Sequence, residues 1–295
     1  MNFVFLDLEW NNAFSKKHKK YINEIIEIGA VKLSEDLLET GRFDCIIHSQ
    51  VIKSLGDRFT GLTGISNSQM EDGISFEEAV RKFEEWLGSD NLVITWSNSD
   101  LYAVSDNFST FLPDKRIDFI EKYLDLQKFF QSVYPQFGKN QIALKTAAES
   151  LGINLEELSL HRASDDSALC AMIFEKIKDK GDFRKFTVDA TNPEFFERLS
   201  FKPFIVKDVK SPYVEPRDLI FKCRKCDKAA TIQKDWAIKN DKLYAEFRCP
   251  ECRRRFIGML RIKRYYDKTK IRKWTVSIRN FSENTENKGS SGEKK

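Results

Sequence analysis

The sequence contains no run of about 18 apolar residues, the length that crosses a bilayer as a helix, so no membrane span is predicted. Its first residues lack the basic region and apolar stretch of a secretory signal. We therefore expect a cytoplasmic location, and we expect no disulfide bonds among the six cysteines. The sequence also shows no long internal repeat.

The composition is that of an ordinary globular protein, but its charge is unevenly distributed. The 295 residues are 41% hydrophobic and 32% charged, which is enough for one large domain and a small one. From residue 206 onward there are 25 Lys and Arg against 12 Asp and Glu, a net charge of +13. Residues 1–205 hold 24 against 33, a net charge of −9. This asymmetry indicates two modules, and the basic one favours a polyanionic partner over a merely solvated surface.

Hydrophobic periodicity predicts an α/β fold for the first part of the chain. Strands are predicted over 3–9, 24–33, 43–48 and 91–97, and helices from Ser75 and over 142–153 and 164–181. Three strands followed by alternating helices and strands predict a mixed β-sheet flanked by helices.

The composition also predicts the domain boundaries. We expect this α/β domain over 1–181, a helical and proline-containing connector over 182–217, and a small β-rich domain over 218–281. Residues 282–295 are polar and of low complexity, and they are predicted to be disordered.

Two carboxylates, Asp7 and Glu9, interrupt the apolar strand FVFLDLEWN. Residues i and i+2 of a strand project from one face, roughly 6–7 Å apart by the strand rise. Two ionised carboxylates so placed would repel each other when partly buried, and a hard divalent cation such as Mg²⁺ or Mn²⁺ would remove that repulsion. The alternative is an edge strand whose carboxylates face water.

Three further residues could complete such a site. Asp100 follows the segment NLVITWSN, where a strand is predicted to turn into a helix. His161, one of only three histidines, lies five residues before Asp166, and an imidazole beside an acid can act as a general base. Taken singly, Asp100 could be a helix cap and His161 a surface histidine. Periodicity does not choose between Asp165 and Asp166.

Taken together, these segments resemble the DEDDh family of 3′→5′ exonucleases. FLDLEWN is similar to the first motif of that family, D-x-E after a strand, and ITWSNSD is similar to the second. HRASDD is similar to the third, H-x4-D, and so selects Asp166. FTGLTGIS and YLDLQKFF also stand where such proteins carry similar segments. The resemblance covers roughly residues 1–180 and is closest to the branch of small-RNA-trimming nucleases and sporulation-linked bacterial relatives.

The resemblance implies an RNase H-like fold and catalysis by two metal ions. Two Mg²⁺ or Mn²⁺ ions, roughly 3.5–4 Å apart, would be held by Asp7, Glu9, Asp100 and Asp166. His161 would take a proton from water, and nucleoside 5′-monophosphates would leave from the 3′ end of single-stranded RNA or DNA. Asp165 would have a capping or supporting role. Trp10 stands where the family often has Thr or Ala, and its ring would either stack on a terminal base or pack.

Four cysteines form two C-x2-C pairs, in FKCRKC and FRCPEC: Cys223, Cys226, Cys249 and Cys252. With 22 residues between the pairs, the pattern is typical of one Zn²⁺ ion held by four thiolates in a zinc ribbon. So small a domain buries little apolar surface, and we therefore expect the zinc to be structural. Four unrelated thiols or a redox dithiol fit the spacing less well.

Basic and aromatic residues alternate through and beyond the second pair, among them Arg253, Arg254, Arg255, Phe256, Arg261, Lys263, Arg264, Tyr265, Tyr266, Lys268, Lys270, Arg272, Lys273 and Trp274. Cations can hold phosphates while rings stack on bases, so we expect this ribbon to bind nucleic acid. The alternative is a β-sheet core of aromatics with solvated charges between them.

Two functions from different classes fit these features. The first is a metal-dependent 3′→5′ exonuclease whose ribbon binds the nucleic-acid substrate. The second is a non-catalytic regulator that keeps the exonuclease fold as a scaffold and recruits nucleic acid or a protein partner through the ribbon. The presence of all four acids and His161 favours the enzyme. No motif indicates contacts to a 2′-OH, so RNA and DNA both stay candidate substrates.

Overall fold

The computed structural model describes residues 1–138, 140–155 and 161–281; the tail predicted to be disordered, 282–295, lies outside these ranges. The chain divides into two compact units after Ser200. None of the described helices combines the length and the apolar composition needed to cross a bilayer.

The first unit is built on a six-stranded mixed sheet. Its strands are β1 (Asn2–Ser15), β2 (Lys20–Leu33), β3 (Glu39–Ile46), β4 (Asn91–Thr95), β5 (Lys122–Asp125) and β6 (Thr187–Asp189). They lie in the order β3-β2-β1-β4-β5-β6. The pairs β1–β2, β2–β3 and β5–β6 are antiparallel, whereas β1–β4 and β4–β5 are parallel. This is the mixed sheet that the sequence predicts.

Helices cover both faces of this sheet. The described helices are α1 (Asp57–Thr63), α2 (Asn67–Glu71), α3 (Phe76–Leu87), α4 (Ser99–Phe111), α5 (Leu126–Val133), α6 (Leu144–Ser150), α7 (Ala163–Ile177) and α8 (Pro193–Ser200). Because side chains of a strand alternate between faces, Phe3 and Phe5 enter one core with α5, α6 and α7. Val4 and Leu6 enter the other core, which α3 and α4 complete.

The β1–β2 hairpin is longer than the sequence predicts. Backbone pairing continues from Glu9 to Ser15, through the polar segment NNAFS, where hydrophobic alternation gives no signal. A bulge interrupts this pairing beside the two carboxylates, because Glu9 pairs with Glu27 but Trp10 pairs with Ile25. Such bulges redirect side chains and are frequent next to active sites.

The region 182–217 differs from the predicted connector. Strand β6 extends the first sheet, and α8 packs Phe195, Phe196 and Leu199 against the first unit. From Phe201 onward the chain belongs to the second unit. The short apolar stripe of α8 is the physical reason, since burying it attaches the segment to the core.

The second unit is an antiparallel sheet of five strands: β7 (Phe204–Ile205), β8 (Thr231–Lys239), β9 (Lys242–Arg248), β10 (Arg255–Arg264) and β11 (Thr269–Val276). The order is β11-β10-β9-β8, and β7 also pairs with β10. Its core contains Phe221, Phe247 and Leu260, and Cys223 and Cys249 are buried in it. Short 3-10 helices lie at Pro135–Phe137 and Phe183–Phe186 in the first unit and at Pro216–Leu219 in the second.

Candidate active site and zinc centre

The first two acids lie where β1 leaves the core. Phe3 and Phe5 are buried, and Asp7 and Glu9 continue the same alternation with partly exposed side chains. The strand period therefore carries both carboxylates to one face, as the sequence predicts. β1 is not an edge strand, because it pairs with β2 on one side and, from Asn2 to Phe5, with β4 on the other; the two acids follow directly after the end of the β4 pairing.

Asp100 lies in the first turn of α4, directly after β4. Its side chain is buried, and its Oδ1 atom accepts a hydrogen bond of 3.2 Å from the backbone N–H of Leu8. Leu8 stands between Asp7 and Glu9, so this bond fixes α4 against the strand that carries both acids.

His161 and Asp166 come together at the start of α7. The backbone N–H of His161 donates to Oδ2 of Asp166 over 3.3 Å. A ring nitrogen of His161 and carboxylate oxygens of Glu9 and Asp166 lie within 4.8 Å of one another. His161 has a φ of 72°, a left-handed conformation that costs a non-glycine residue energy and recurs at functional sites.

A cleft of about 400 Å³ collects the four predicted acids; its lining includes Asp7, Glu9, Asp100, Asp166, Trp10, Leu62, Trp96, Ser97, Ser99 and Leu144. Asp165 also lies in the first turn of α7 but does not line the cleft. The choice of Asp166 over Asp165, which periodicity left open, thus agrees with the geometry.

Burial and mutual repulsion raise the pKa values of these acids. Burial and then the charge of Asp166 raise the pKa of Glu9 to about 8, and burial raises the pKa of Asp100 to about 7. Burial, followed by the charge of Asp100, raises the pKa of Asp7 well above its usual range. The pKa of Asp166 is also raised by burial, although the nearby His161 opposes the shift.

No Lys or Arg among the described residues forms an ion pair with any of the four acids, and only the charge of Arg162, which pairs with Glu27, partly offsets the raised pKa of Glu9. The donor set consists of carboxylate oxygens with one imidazole beside them. Hard divalent cations such as Mg²⁺ or Mn²⁺ prefer such donors. The residues present therefore fit the predicted ions.

Sequence reasoning missed a buried ion pair beside the site. Glu27 lies opposite Glu9 on β2 and is fully buried. It accepts hydrogen bonds from Nε and a terminal nitrogen of Arg162, over 2.9 and 2.5 Å, and from the backbone N–H of Ala163 over 3.0 Å. The pair fixes the first turn of α7, and hence Asp166, onto the sheet. A charged residue inside the apolar run EIIEIGAV was the available signal.

Gly29 completes the contact between β2 and α7. It lies opposite Asp7 in the β1–β2 register. A Cβ atom at this position would lie 2.1 Å from the carbonyl carbon of Ala163 and 2.2 Å from the nitrogen of Ser164. Only glycine lets the helix start lie this close to the strand.

Large apolar side chains form the walls of the cleft. Trp10 packs against the core below α3 and α4, as one of the two alternatives expects, and it also lines the cleft. Trp96 is held in place because its indole N–H donates to the carbonyl oxygen of Ile142 over 2.9 Å. Leu62, at the end of α1, is 51% exposed and offers a free apolar edge.

In the second unit, the four predicted zinc ligands converge. The Sγ atoms of Cys223 and Cys252 lie 3.5 Å apart, those of Cys226 and Cys249 lie 3.4 Å apart, and all four lie within 4.8 Å of one another. Four converging thiols fit a tetrahedral Zn²⁺ site. The backbone N–H of Lys225 lowers the pKa of Cys223 to about 6, which favours the thiolate form that binds metal.

The two cysteine turns have the same backbone pattern. The N–H of Cys223 donates to the carbonyl of Lys228, and the N–H of Cys249 donates to that of Arg254, each over 2.9 Å. The residue after the second cysteine of each pair is left-handed, with a φ of 56° at both Asp227 and Arg253. Two like turns that face each other are the architecture of a zinc ribbon.

The comparison with family models agrees with this geometry. A model described as Exonuclease (RNase_T) matches residues 4–174, more than half of the chain. The chain belongs to this exonuclease family. The predicted resemblance to DEDDh exonucleases is thereby confirmed. This family implies a nuclease domain of the hydrolase class that uses divalent metal ions.

Several curated relatives carry similar exonuclease domains. The chain is 28% identical over 204 residues to DNA polymerase III PolC-type of Clostridium perfringens, covering 68% of this chain and 13% of the relative. It is 27% identical over 178 residues to DNA polymerase III subunit epsilon of Aquifex aeolicus, covering 60% of this chain and 81% of the relative. It is 26% identical over 170 residues to 3′-5′ exoribonuclease 1 of Mus musculus, covering 55% of this chain and 49% of the relative. The match thus spans less than two thirds of the first and third relatives.

Among solved structures, the first unit's fold is similar to the nuclease domain of 3′hExo, a DEDDh family member bound to rAMP. The TM-score is 0.53 at 20% identity, and the match covers 61% of this chain and 92% of that one. This likeness confirms the predicted RNase H-like exonuclease fold.

Proposed function

We propose that this exonuclease removes nucleotides one at a time from the 3′ end of single-stranded RNA or DNA and releases nucleoside 5′-monophosphates. The observation that carries the proposal is the cleft itself, because four acids from β1, α4 and α7 meet there beside His161 and none of them forms an ion pair with a Lys or Arg among the described residues. Relatives named for DNA polymerases and for an exoribonuclease leave both substrates in the proposal.

Asp7, Glu9, Asp100 and Asp166 would hold two Mg²⁺ or Mn²⁺ ions. Bound ions of this kind activate water and stabilise the leaving oxygen of a phosphodiester. The His161 imidazole, within 4.8 Å of the Glu9 and Asp166 oxygens, would accept the proton of the attacking water. The water oxygen would bond to phosphorus, the bond to the 3′ oxygen of the preceding nucleotide would break, and the shortened strand would end in a 3′-OH.

The apolar walls would select a strand end. A terminal base fits between rings and aliphatic side chains, and base stacking on aromatics tolerates every sequence. Trp10 and Leu62 line the opening and would contact that base. Asp165 would support the start of α7 without touching the ions.

The second unit would be a zinc ribbon that holds one structural Zn²⁺ ion and binds the nucleic-acid substrate. Its cationic composition supports that role, since residues 206–295, which make up nearly all of the unit, carry a net charge of +13. A protein partner of the ribbon and a cytoplasmic location stay predictions.

The test is a time course on 5′-labelled single-stranded RNA and DNA of matched sequence, with and without Mg²⁺ or Mn²⁺. Asp7→Asn is the active-site variant, and Asp36→Asn, an exposed Asp outside the cleft, is the matched control. We expect a metal-dependent ladder that shortens from the 3′ end, is abolished in Asp7→Asn and is unchanged in Asp36→Asn. No shortening of either substrate, despite measurable binding, would favour the non-catalytic scaffold.

A further inference from the structure

The β10–β11 hairpin of the second unit has two unlike faces. Leu260 and Ile262 point into the core. Arg261 and Lys263 alternate with them and point away from it. In the antiparallel register Arg261 lies directly opposite Arg272, and Lys263 lies directly opposite Lys270. The outer face therefore carries two successive cross-strand pairs of like charge.

Such pairs destabilise a sheet, because like charges directly opposite repel. Elsewhere in this unit cations have acidic partners: Glu246 pairs with Arg255 and Lys234, and Asp241 pairs with Lys207. In the part of the unit that the structure describes, no carboxylate forms an ion pair with any of the four outward cations. A bound anion would relieve the repulsion between these cations.

The four cations enclose a concave site. Together with Tyr265 they line a groove of about 200 Å³, here named the cation groove (Arg261, Lys263, Tyr265, Lys270 and Arg272). The ammonium group of Lys263 lies 5.2 Å from the centre of the Tyr265 ring. An anion that enters the groove meets cations from both strands and one aromatic ring at its end.

We propose that the cation groove binds two consecutive phosphates of single-stranded nucleic acid, one at each cross-strand pair. The pairs are two residues apart along each strand, roughly 6–7 Å by the strand rise, which is comparable to the phosphate repeat of an extended single strand. The cations hold phosphates and Tyr265 offers a stacking surface, so the groove binds without reading sequence. This inference rests on the proposed function, because it gives the residues through which the ribbon would bind substrate.

The test measures binding to the full chain in an Asp7→Asn background, so that the probe is not shortened. The probes are fluorescein-labelled single-stranded oligonucleotides, one of oligo-dT and one of mixed-sequence RNA, followed by anisotropy over a range of KCl concentrations. The groove variant is Lys270→Ala/Arg272→Ala. The matched control, Lys210→Ala/Lys239→Ala, removes the same charge from the same unit outside the groove. Zinc content is measured for every variant to verify that the ribbon remains folded.

Each phosphate contact contributes about 0.7 to the slope of log affinity against log salt for single strands, so the loss of both contacts would lower the slope by about 1.4. The groove variant keeps Arg261 and Lys263, so its slope should fall measurably and by no more than this amount. The loss should be the same for both probes, and the control should keep the parental slope. The proposal would be overturned if the slope fell equally in the groove variant and in the control, or did not fall in the groove variant.

A second variant, Lys270→Glu, separates binding from folding. It replaces a repelling pair by an attractive one with Lys263. We expect weaker binding together with a higher melting temperature of the second unit, and weaker binding with a lower melting temperature would count against the groove. Neither readout needs catalysis, so a chain that binds through the groove but shortens no strand would refute the exonuclease alone.

Discussion

Replacing Glu9 by Gln should stabilise the first unit when divalent ions are absent. The carboxyl group of Glu9 has its pKa raised from 4.5 to about 8 in the folded chain, chiefly by burial and by the charge of Asp166. Between these two values the unfolded chain releases its proton while the folded chain keeps it. The stability of the parent protein therefore falls as pH rises from 4.5 to about 8, and the Gln variant has no such loss.

The size of the effect follows from the shift. One pKa unit corresponds to about 1.4 kcal/mol, so the full shift sets an upper bound of roughly 5 kcal/mol. Because Glu9 is only partly buried and several acids share the repulsion, we expect about 2–3 kcal/mol above pH 8. For a unit of this size that is a rise of about 5–10 °C in melting temperature.

The assay is calorimetric unfolding from below pH 4.5 to above pH 8, after dialysis without a chelator so that the zinc is retained. Glu175→Gln, an exposed position on α7, is the control and should melt like the parent. Adding Mg²⁺ should raise the melting temperature of the parent more than that of Glu9→Gln. If the melting temperature of the parent equals or exceeds that of Glu9→Gln at high pH without Mg²⁺, the carboxylates of the site do not destabilise the folded chain and the reasoning is refuted.

Three further changes test the surroundings of the site and the ribbon. Arg162→Met should lower the free energy of unfolding by about 2–4 kcal/mol, because it leaves Glu27 buried without its cation. Adding Glu27→Gln should recover part of this loss in urea unfolding, and losses that simply add would contradict an interaction between the two residues. Gly29→Ala should abolish the shortening of nucleic-acid strands and lower the free energy of unfolding by at least about 1–3 kcal/mol, because the added Cβ would meet the backbone of Ala163. A variant with the parent's activity would refute this. Cys223→Ser should release zinc and weaken nucleic-acid binding while the melting of the first unit stays unchanged, whereas parental affinity with the zinc lost would remove the ribbon's binding role.

Local patterns were enough to predict much of the fold and the grouping of the acids. The period of two in β1 places Asp7 and Glu9 on one face whatever the rest of the chain does. The two C-x2-C turns are likewise local, so the meeting of four thiols needed only a short sheet between them. The mixed sheet followed from the order of apolar segments.

Other features depend on contacts that no local pattern encodes. The Glu27–Arg162 pair joins residues 135 apart in the sequence, and its position opposite Glu9 depends on the β1–β2 register beside the bulge. The cross-strand cation pairs of the ribbon also depend on register, since a slip of one residue would reverse which side chains face outward. The sequence predicts a connector over 182–217 from its prolines, and the apolar stripe of α8 within it is too short to show which unit buries that helix.

The Glu27–Arg162 contact also joins segments that are synthesised far apart in time. Asp7 and Glu9 are synthesised early, whereas Asp166 belongs to a helix whose start contacts β2 through Arg162 and Ala163. A chain still short of α7 holds three of the four acids and lacks the segment that completes the cleft. The proposed hydrolysis therefore requires a chain that has been synthesised at least through α7.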